Sequence, residues 1–266
     1  PMHDTNNPCF LGVVVGRVAN RIANASFNLN DTTYELEANN GNHHLHGGLH
    51  GFGTRVWNAC IVKDDNECPA VRFDLVSSDG DQGYPASVNV SATYSLTPSS
   101  SGGVALKLEL HASLVDGETL STPINLANHS YFNLASHASS CGVLDHVLYM
   151  PSEYFTPTDE ESIPTREVLA TNGGVMDFQK GRIMSEAIAA FGMSQAGLTK
   201  EDVTRDVTER TRWKTDVAVS QSKQPYGFDH NYVMKQNPDP TKLNVAGRID
   251  HPASKRRMTV YTNAPG

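Results

Sequence analysis

Val88-Asn89-Val90-Ser91-Ala92-Thr93-Tyr94-Ser95-Leu96 alternates apolar and polar side chains without a break. Leu106, Leu108, Leu110, Ala112 and Leu114 repeat the alternation after a Ser/Gly-rich turn at residues 99–103. A period of two puts every apolar side chain on one face of a pleated strand, so these runs are expected to pair as a hairpin with one face buried. Further extended candidates lie at residues 71–76, 124–134, 143–150 and 258–262, separated by Gly, Pro, Asn and Asp clusters. The implied architecture is mainly β and antiparallel.

Residues 182–215 depart from this period. Ile183, Met184, Ala187, Ile188 and Phe191 follow helical spacing, and Thr199-Lys200-Glu201-Asp202 is placed to cap a second, charged helix containing Val203 and Val207. A polar face makes this a helical insertion at the surface. Residues 1–266 therefore read as one domain, a length that all-β folds often reach as a single unit.

Composition excludes several classes. With 21 Lys+Arg against 29 Asp+Glu, the formal charge of -8 argues against a nucleic-acid or anionic-membrane surface, because phosphate binding needs a positive face. A small neutral or cationic ligand fits better. No run approaches the roughly 20 apolar residues that span a bilayer. The start Pro1-Met2-His3-Asp4 lacks a basic-then-apolar signal region, so the expected compartment is the cytoplasm. Cys9, Cys60, Cys68 and Cys141 show no C-x-x-C spacing and are expected to be free thiols.

Three polar concentrations carry the chemistry. Asn42-His43-His44-Leu45-His46-Gly47-Gly48-Leu49-His50-Gly51-Phe52 holds four of the 11 histidines. Proton transfer and metal ligation compete for it, since imidazole does both near neutral pH. The spacing is not that of a structural zinc site. Asn128-His129-Ser130-Tyr131-Phe132-Asn133-Leu134 places polar side chains in an otherwise strand-like run, where they must line a cavity or pair with one another. Tyr226-Gly227-Phe228-Asp229-His230-Asn231-Tyr232 sets an acid and an imidazole among aromatics, surroundings that suit a stacked sugar ring. Gly16-Arg17-Val18-Ala19-Asn20-Arg21-Ile22 adds two arginines in a short strand-like run; at least one is expected to be buried with partners.

Taken in order, these segments resemble the aldose 1-epimerase family, the galactose mutarotases. The resemblance rests on Gly16 to Ile22, Leu45-His46-Gly47-Gly48 with Gly51-Phe52 and Trp57, Asp79-Gly80-Asp81-Gln82-Gly83-Tyr84-Pro85, Asn128 to Leu134, Gly227 to Asn231, and Thr262 to Gly266. It spans nearly the whole chain apart from the helical insertion. It implies a large antiparallel β-sandwich and a reaction without cofactor or metal, interconversion of the α and β anomers of a free aldose such as galactose or glucose. By resemblance His129 is the general acid at the ring oxygen. His46 hydrogen-bonds near that oxygen and the anomeric hydroxyl, and Asn20, Arg21, Ser130, Tyr131 and Asp229 hold the sugar. The expected partner is a monosaccharide, on a chain that is a monomer or weak dimer. His43, His44 and His50 have no role to carry over and default to the loop surface.

The departures qualify the expectation. The family's general base is a glutamate beyond the Thr-x-x-Pro-Gly motif, here Thr262 to Gly266, and several strands normally precede Gly16-Arg17. The chain is expected to lack both, so its interconversion of anomers is expected to be weak or absent even if it binds sugar, and Asp79 or Asp81 would need suitable geometry to substitute. Arg166 in Ile163-Pro164-Thr165-Arg166 stands where the family usually has glycine. A non-catalytic carbohydrate-binding or regulatory module is the alternative reading. A hexose-6-phosphate mutarotase is less consistent, because it should concentrate arginines for the phosphate.

Overall fold

A computed structural model describes residues 7–63, 67–99, 102–139, 142–195, 227–239 and 241–266. The chain divides into two compact units, Pro1–Tyr131 and Phe132–Gly266. Among the described residues no helix is long and apolar enough to cross a membrane.

In the N-terminal unit the strands in order are β1 (Val14–Val15), β2 (Arg21–Ile22), β3 (Ser26–Leu29), β4 (Thr32–Glu35), β5 (His44–Leu45), β6 (Asn58–Lys63), β7 (Pro69–Ser77), β8 (Val88–Pro98), β9 (Val104–Leu114) and β10 (Ala127–Asn128). The expected hairpin forms: β8 and β9 pair antiparallel along their whole length, from Val88 opposite Leu114 to Pro98 opposite Val104. They belong to a four-stranded sheet in the order β6-β7-β8-β9. The apolar side chains of the alternation share one face. At one end of that face Val88 and Val90 are buried with Phe52 and pack against Trp57, Leu75, Ala112 and Leu126. A second cluster joins Ala25, Leu36 and Tyr84 to Val18, Ile22 and Phe27.

Three short ladders complete this unit: β1 with β10, β2 with β5, and β3 with β4. The first two matter most. Val14 opposes Asn128 and Arg21 opposes Leu45, so His129 and His46 each follow directly from a strand that is pinned by the segment from Val14 to Ile22. Residues 124–134, expected as one strand, form only the two-residue β10. Further main-chain bonds at Asn125 and His129 extend the pairing locally, but Ser130 turns its hydroxyl onto the Asn128 side chain and the chain leaves the ladder exposed.

In the C-terminal unit the elements are β11 (Val147–Tyr149), β12 (Tyr154–Thr156), β13 (Leu169–Ala170), β14 (Arg182–Ile183), α1 (Met184–Gln195), β15 (Asn231–Val233), β16 (Asn244–His251) and β17 (Arg256–Thr262). Two antiparallel sheets form, in the orders β14-β11-β16-β17 and β13-β12-β15. The helix begins later than its spacing suggested, because Arg182 and Ile183 pair with Leu148 and Val147 as strand. Ala187 and Phe191, four apart, then face inward. The second expected helix lies outside the described residues. Residues 143–150 yield a strand only at Val147–Tyr149, since a turn from Val143 to His146 precedes it. Arg166 adopts φ 71, the left-handed conformation that glycine takes without a Cβ penalty, so the turn keeps a glycine-like backbone despite the arginine. Cys9 and Cys60 are free thiols; Cys141 lies outside the described residues.

Candidate active site

The backbone around His46 is shaped by close approach. Gly47 has φ 86, and a Cβ placed there would lie 1.8 Å from the carbonyl oxygen of Gly16. Only glycine allows the histidine loop to lie against the Gly16 strand. His46 itself holds φ 52, and its main-chain N–H donates to the Asn20 carbonyl at 3.1 Å. In return the Asn20 N–H donates to His46 Nδ1 at 3.0 Å. A nitrogen that accepts from an amide has its lone pair exposed and carries no proton, so the neutral ring bears its hydrogen on Nε2. His46 is thereby fixed as an Nε2–H donor.

His129 meets this ring edge to face, with centroids 5.1 Å apart and an interplanar angle of 89°. Its main chain is held on both sides, donating to the Val13 carbonyl at 2.9 Å and accepting from Gly12 at 2.9 Å. Tyr131 stacks on the His129 ring at 5.2 Å, and the Tyr131 hydroxyl donates to the Cys9 carbonyl at 3.0 Å. Phe10 lies 4.7 Å from His46 and 5.9 Å from His129. The aromatic contacts restrict both imidazoles to one mutual orientation. His129 is half-buried and its ring nitrogens make no hydrogen bond among the described residues.

Polar side chains flank the pair. Asn20 is exposed, and its side-chain oxygen accepts from the Arg21 main chain at 2.9 Å and from the Arg21 guanidinium at 3.4 Å. Arg21 Nε also donates to Asn40 at 3.0 Å. Ser130 donates to Asn128, whose amide donates to the Tyr94 hydroxyl at 3.1 Å. Burial pushes the Tyr94 phenol above its ordinary range, and the bond from Asn128 acts the other way. Of the expected residues, the structure thus gathers His46 with Asn20 and Arg21, and His129 with Tyr131 and, through the chain, Ser130.

Arg17 supplies the frame beneath. It is 2% exposed, and its guanidinium donates to the carbonyls of Ser77, Ser78, Pro85 and Ala86 and to the hydroxyls of Ser77 and Thr122. Burial lowers its pKa, while Asp81, Tyr84 and Asp79 act to raise it. The expected burial of at least one arginine is met by Arg17, and carbonyls replace water around its charge. Asp79 and Asp81 are committed to the same frame. Asp79 accepts from the Ala86 amide at 2.6 Å; Asp81 pairs with Arg55 at 2.5 Å and accepts from Ser77. Both carboxylates are thus tied to neighbouring donors.

Two expectations are corrected. His43 and His44 do not lie on the loop surface but are buried, His44 completely at 0% exposure. His44 Nδ1–H donates to the Glu37 carbonyl at 2.7 Å, and the Asn24 N–H donates to His43 Nδ1 at 3.0 Å. Three histidines of one loop therefore spend Nδ1 on the main chain, which staples the loop. Burial lowers the His44 pKa, countered by its bond to Glu37. The exposed His50 fits the surface expectation.

In the C-terminal unit, residues 227–232 were expected to offer aromatics to a sugar; Tyr226 lies outside the described residues. Phe228 instead packs at 5.0 Å from both Phe178 and Phe191, and Tyr232 donates its hydroxyl to the Met176 carbonyl at 3.2 Å. Both serve the interior of this unit. His230 lies against Phe155 and Phe191, and burial lowers its pKa while Asp229 acts to raise it. Asp229 is exposed just before β15. Elsewhere in this unit Asp145 accepts from two imidazoles, His146 Nδ1 at 3.0 Å and His251 Nε2 at 3.0 Å.

A family model for aldose 1-epimerase matches residues 2–266. The chain belongs to the aldose 1-epimerase family. Against the galactose mutarotase of Sus scrofa it is 32% identical over 257 residues, covering 97% of this chain and 60% of that protein. Against the aldose 1-epimerase of Escherichia coli strain K12 it is 30% identical over 256 residues, 96% of this chain and 61% of that one. A crystal structure of galactose 1-epimerase from Lactobacillus acidophilus superposes with a TM-score of 0.67 at 26% identity, covering 94% of this chain and 61% of the other. The chain thus spans about 60% of the length of these aldose 1-epimerase relatives.

Within this family frame, motif reading singled out both imidazoles but not Phe10, whose ring lies against each of them. Its signal was weak: one aromatic among Asn7-Pro8-Cys9 and Leu11-Gly12, without periodicity. The burial of His43 was missed for a similar reason. Nothing in a His-His pair distinguishes a ring that caps its own loop from one facing solvent.

Proposed function

We propose that this chain binds a free aldose such as galactose or glucose and carries the acid side of anomer interconversion. Ring opening removes the proton from the anomeric hydroxyl, delivers one to the ring oxygen, and breaks the bond between that oxygen and the anomeric carbon; closure on the other carbonyl face gives the second anomer. His129 is the general acid at the ring oxygen. His46 donates from Nε2 near that oxygen, and Asn20, Arg21, Ser130, Tyr131 and Asp229 orient hydroxyls. The observation that carries the reading is the right-angled His46–His129 pair at 5.1 Å, one ring held as a donor by the Asn20 amide. The names of the relatives support the same reaction. The free Cys9 and Cys60 thiols fit a reducing cytoplasm, and the charge of -8 argues against a general nucleic-acid role.

A second reading has its own observation. Because Asp79 and Asp81 are both bound into the Arg17 frame, the N-terminal unit offers neither as a base, which favours a chain that binds sugar but turns it over slowly. Polarimetry of freshly dissolved α-D-galactose, together with titration of the chain by galactose, separates the readings. Acceleration that His129→Ala abolishes supports catalysis. Binding without acceleration supports the carbohydrate-binding module, and absence of both sinks the two readings together.

A further inference from the structure

The sheet β6-β7-β8-β9 ends in β9, a strand of 11 residues against six in β6 at the opposite edge. Among the described residues β9 has β8 as its sole strand neighbour, and the ladder between them runs from residue 104 to 114 without a register shift. Its outer row of N–H and C=O groups therefore lies along a long, regular edge. Such edges pair with further strands unless proline, a bulge or shortness blunts them. β9 contains no proline and no bulge. Its apolar face is also uncovered toward the start of the strand, where Val104 is 73% and Leu106 63% exposed.

The sequence of this edge is complementary to itself. In an antiparallel pairing of β9 with a second β9 centred on Leu108, residue numbers across the seam add to a constant. Leu108 then faces Leu108, Leu106 faces Leu110, Val104 faces Ala112, and Lys107 faces Glu109 twice. Directly opposed partners are close enough for both apolar and ionic contact. Lys107 and Glu109 lie on one face and already bridge at 2.9 Å within the strand, so their charges are presented on the side that the seam requires. We propose that β9 is the edge through which two copies of this chain join, with a two-fold axis at Leu108 and the sheets continuous across it. A two-fold seam repeats each contact, which doubles the effect of every matched pair. The partner is a second copy because apolar and charged positions match in the same register.

Light scattering after gel filtration, over a range of loading concentrations, tests this directly. The expected result is a mass rising toward two chains with concentration. Lys107→Glu places like charges across both seam positions and should raise the midpoint concentration on the order of tenfold, as should Glu109→Lys. The swapped pair Lys107→Glu with Glu109→Lys restores opposite charges in the same register and should return the midpoint near that of the unaltered chain. Circular dichroism shows whether each variant keeps its β signature. A chain that stays monomeric to its solubility limit overturns the proposal, as does a dimer indifferent to single reversals. A swapped pair as weak as either single reversal excludes this register and overturns it too.

Discussion

His46 and His129 meet edge to face at 5.1 Å in the N-terminal unit, whereas His146 and His251 stack at 4.8 Å and 25° in the C-terminal unit. In the second pair every ring nitrogen has a partner. His146 Nε2 accepts from the Leu134 amide at 2.9 Å, and its Nδ1–H reaches Asp145. His251 Nδ1 lies 2.6 Å from the Ser254 hydroxyl, and its Nε2–H reaches the other oxygen of Asp145. Both rings are buried. The His129 nitrogens, by contrast, make no hydrogen bond among the described residues, and the ring is placed by stacking and by its backbone. A saturated, buried pair fastens loops together. The half-buried His129, positioned by ring contacts and its backbone, keeps polar capacity for a ligand.

The largest expected effect separates these roles. On the proposed catalytic reading, replacing His129 by alanine should remove any acceleration of anomer equilibration, a loss on the order of hundredfold or more for a general acid, while urea unfolding shifts by about 1 kcal/mol or less. Unchanged polarimetry with a large stability loss would make the two pairs alike. Gly47→Ala comes next. A methyl 1.8 Å from the Gly16 oxygen cannot be accommodated without moving the loop, so a destabilisation of about 3 kcal/mol or more is expected in denaturant melts. His46 should lose its bond to the Asn20 amide as well, visible as a changed imidazole nitrogen shift in NMR.

His146→Ala probes the other pair. It leaves a cavity and strands the Leu134 amide, which together should cost about 2–4 kcal/mol in urea unfolding. A neutral outcome would deny the fastening role. Last and smallest is a pH effect in the histidine loop. Burial holds the His44 pKa below its unfolded value, so its contribution is complete above the ordinary imidazole range, about 6.5, and is lost as pH falls from there. The urea midpoint should decline between neutral and mildly acid pH, and His44→Gln should flatten that slope. His230, lowered by burial in the C-terminal unit, adds a decline that remains in the variant.

Much of the frame was legible in the sequence. The β8–β9 hairpin could be read because a period of two sustained over many residues has one structural solution. His46 and His129 could be read because glycine, asparagine and tyrosine surround them in a recurring order. What stayed hidden depends on partners remote in sequence. The inward turn of Phe228 is decided by Phe178 and Phe191, and the burial of His43 and His44 by main-chain atoms at Asn24 and Glu37. Likewise, residues 124–134 read as a strand because Ile124 and Leu126 start one, but Ser130 bonding to Asn128 lies outside any periodicity. Local pattern specifies a strand's face, while the fate of a polar side chain is settled by whichever backbone group arrives beside it.

The Asn20 amide at His46 Nδ1 also bears on inhibitor chemistry. A ring that presents its hydrogen from Nε2 welcomes a lone pair and repels another N–H. Lactones and other flattened sugars with an sp² oxygen should therefore fit beside His46 better than protonated iminosugars, whose ammonium would meet a donor where it needs an acceptor. On the proposed sugar site, the direction of one backbone hydrogen bond would thus divide two inhibitor classes that share the same hydroxyls.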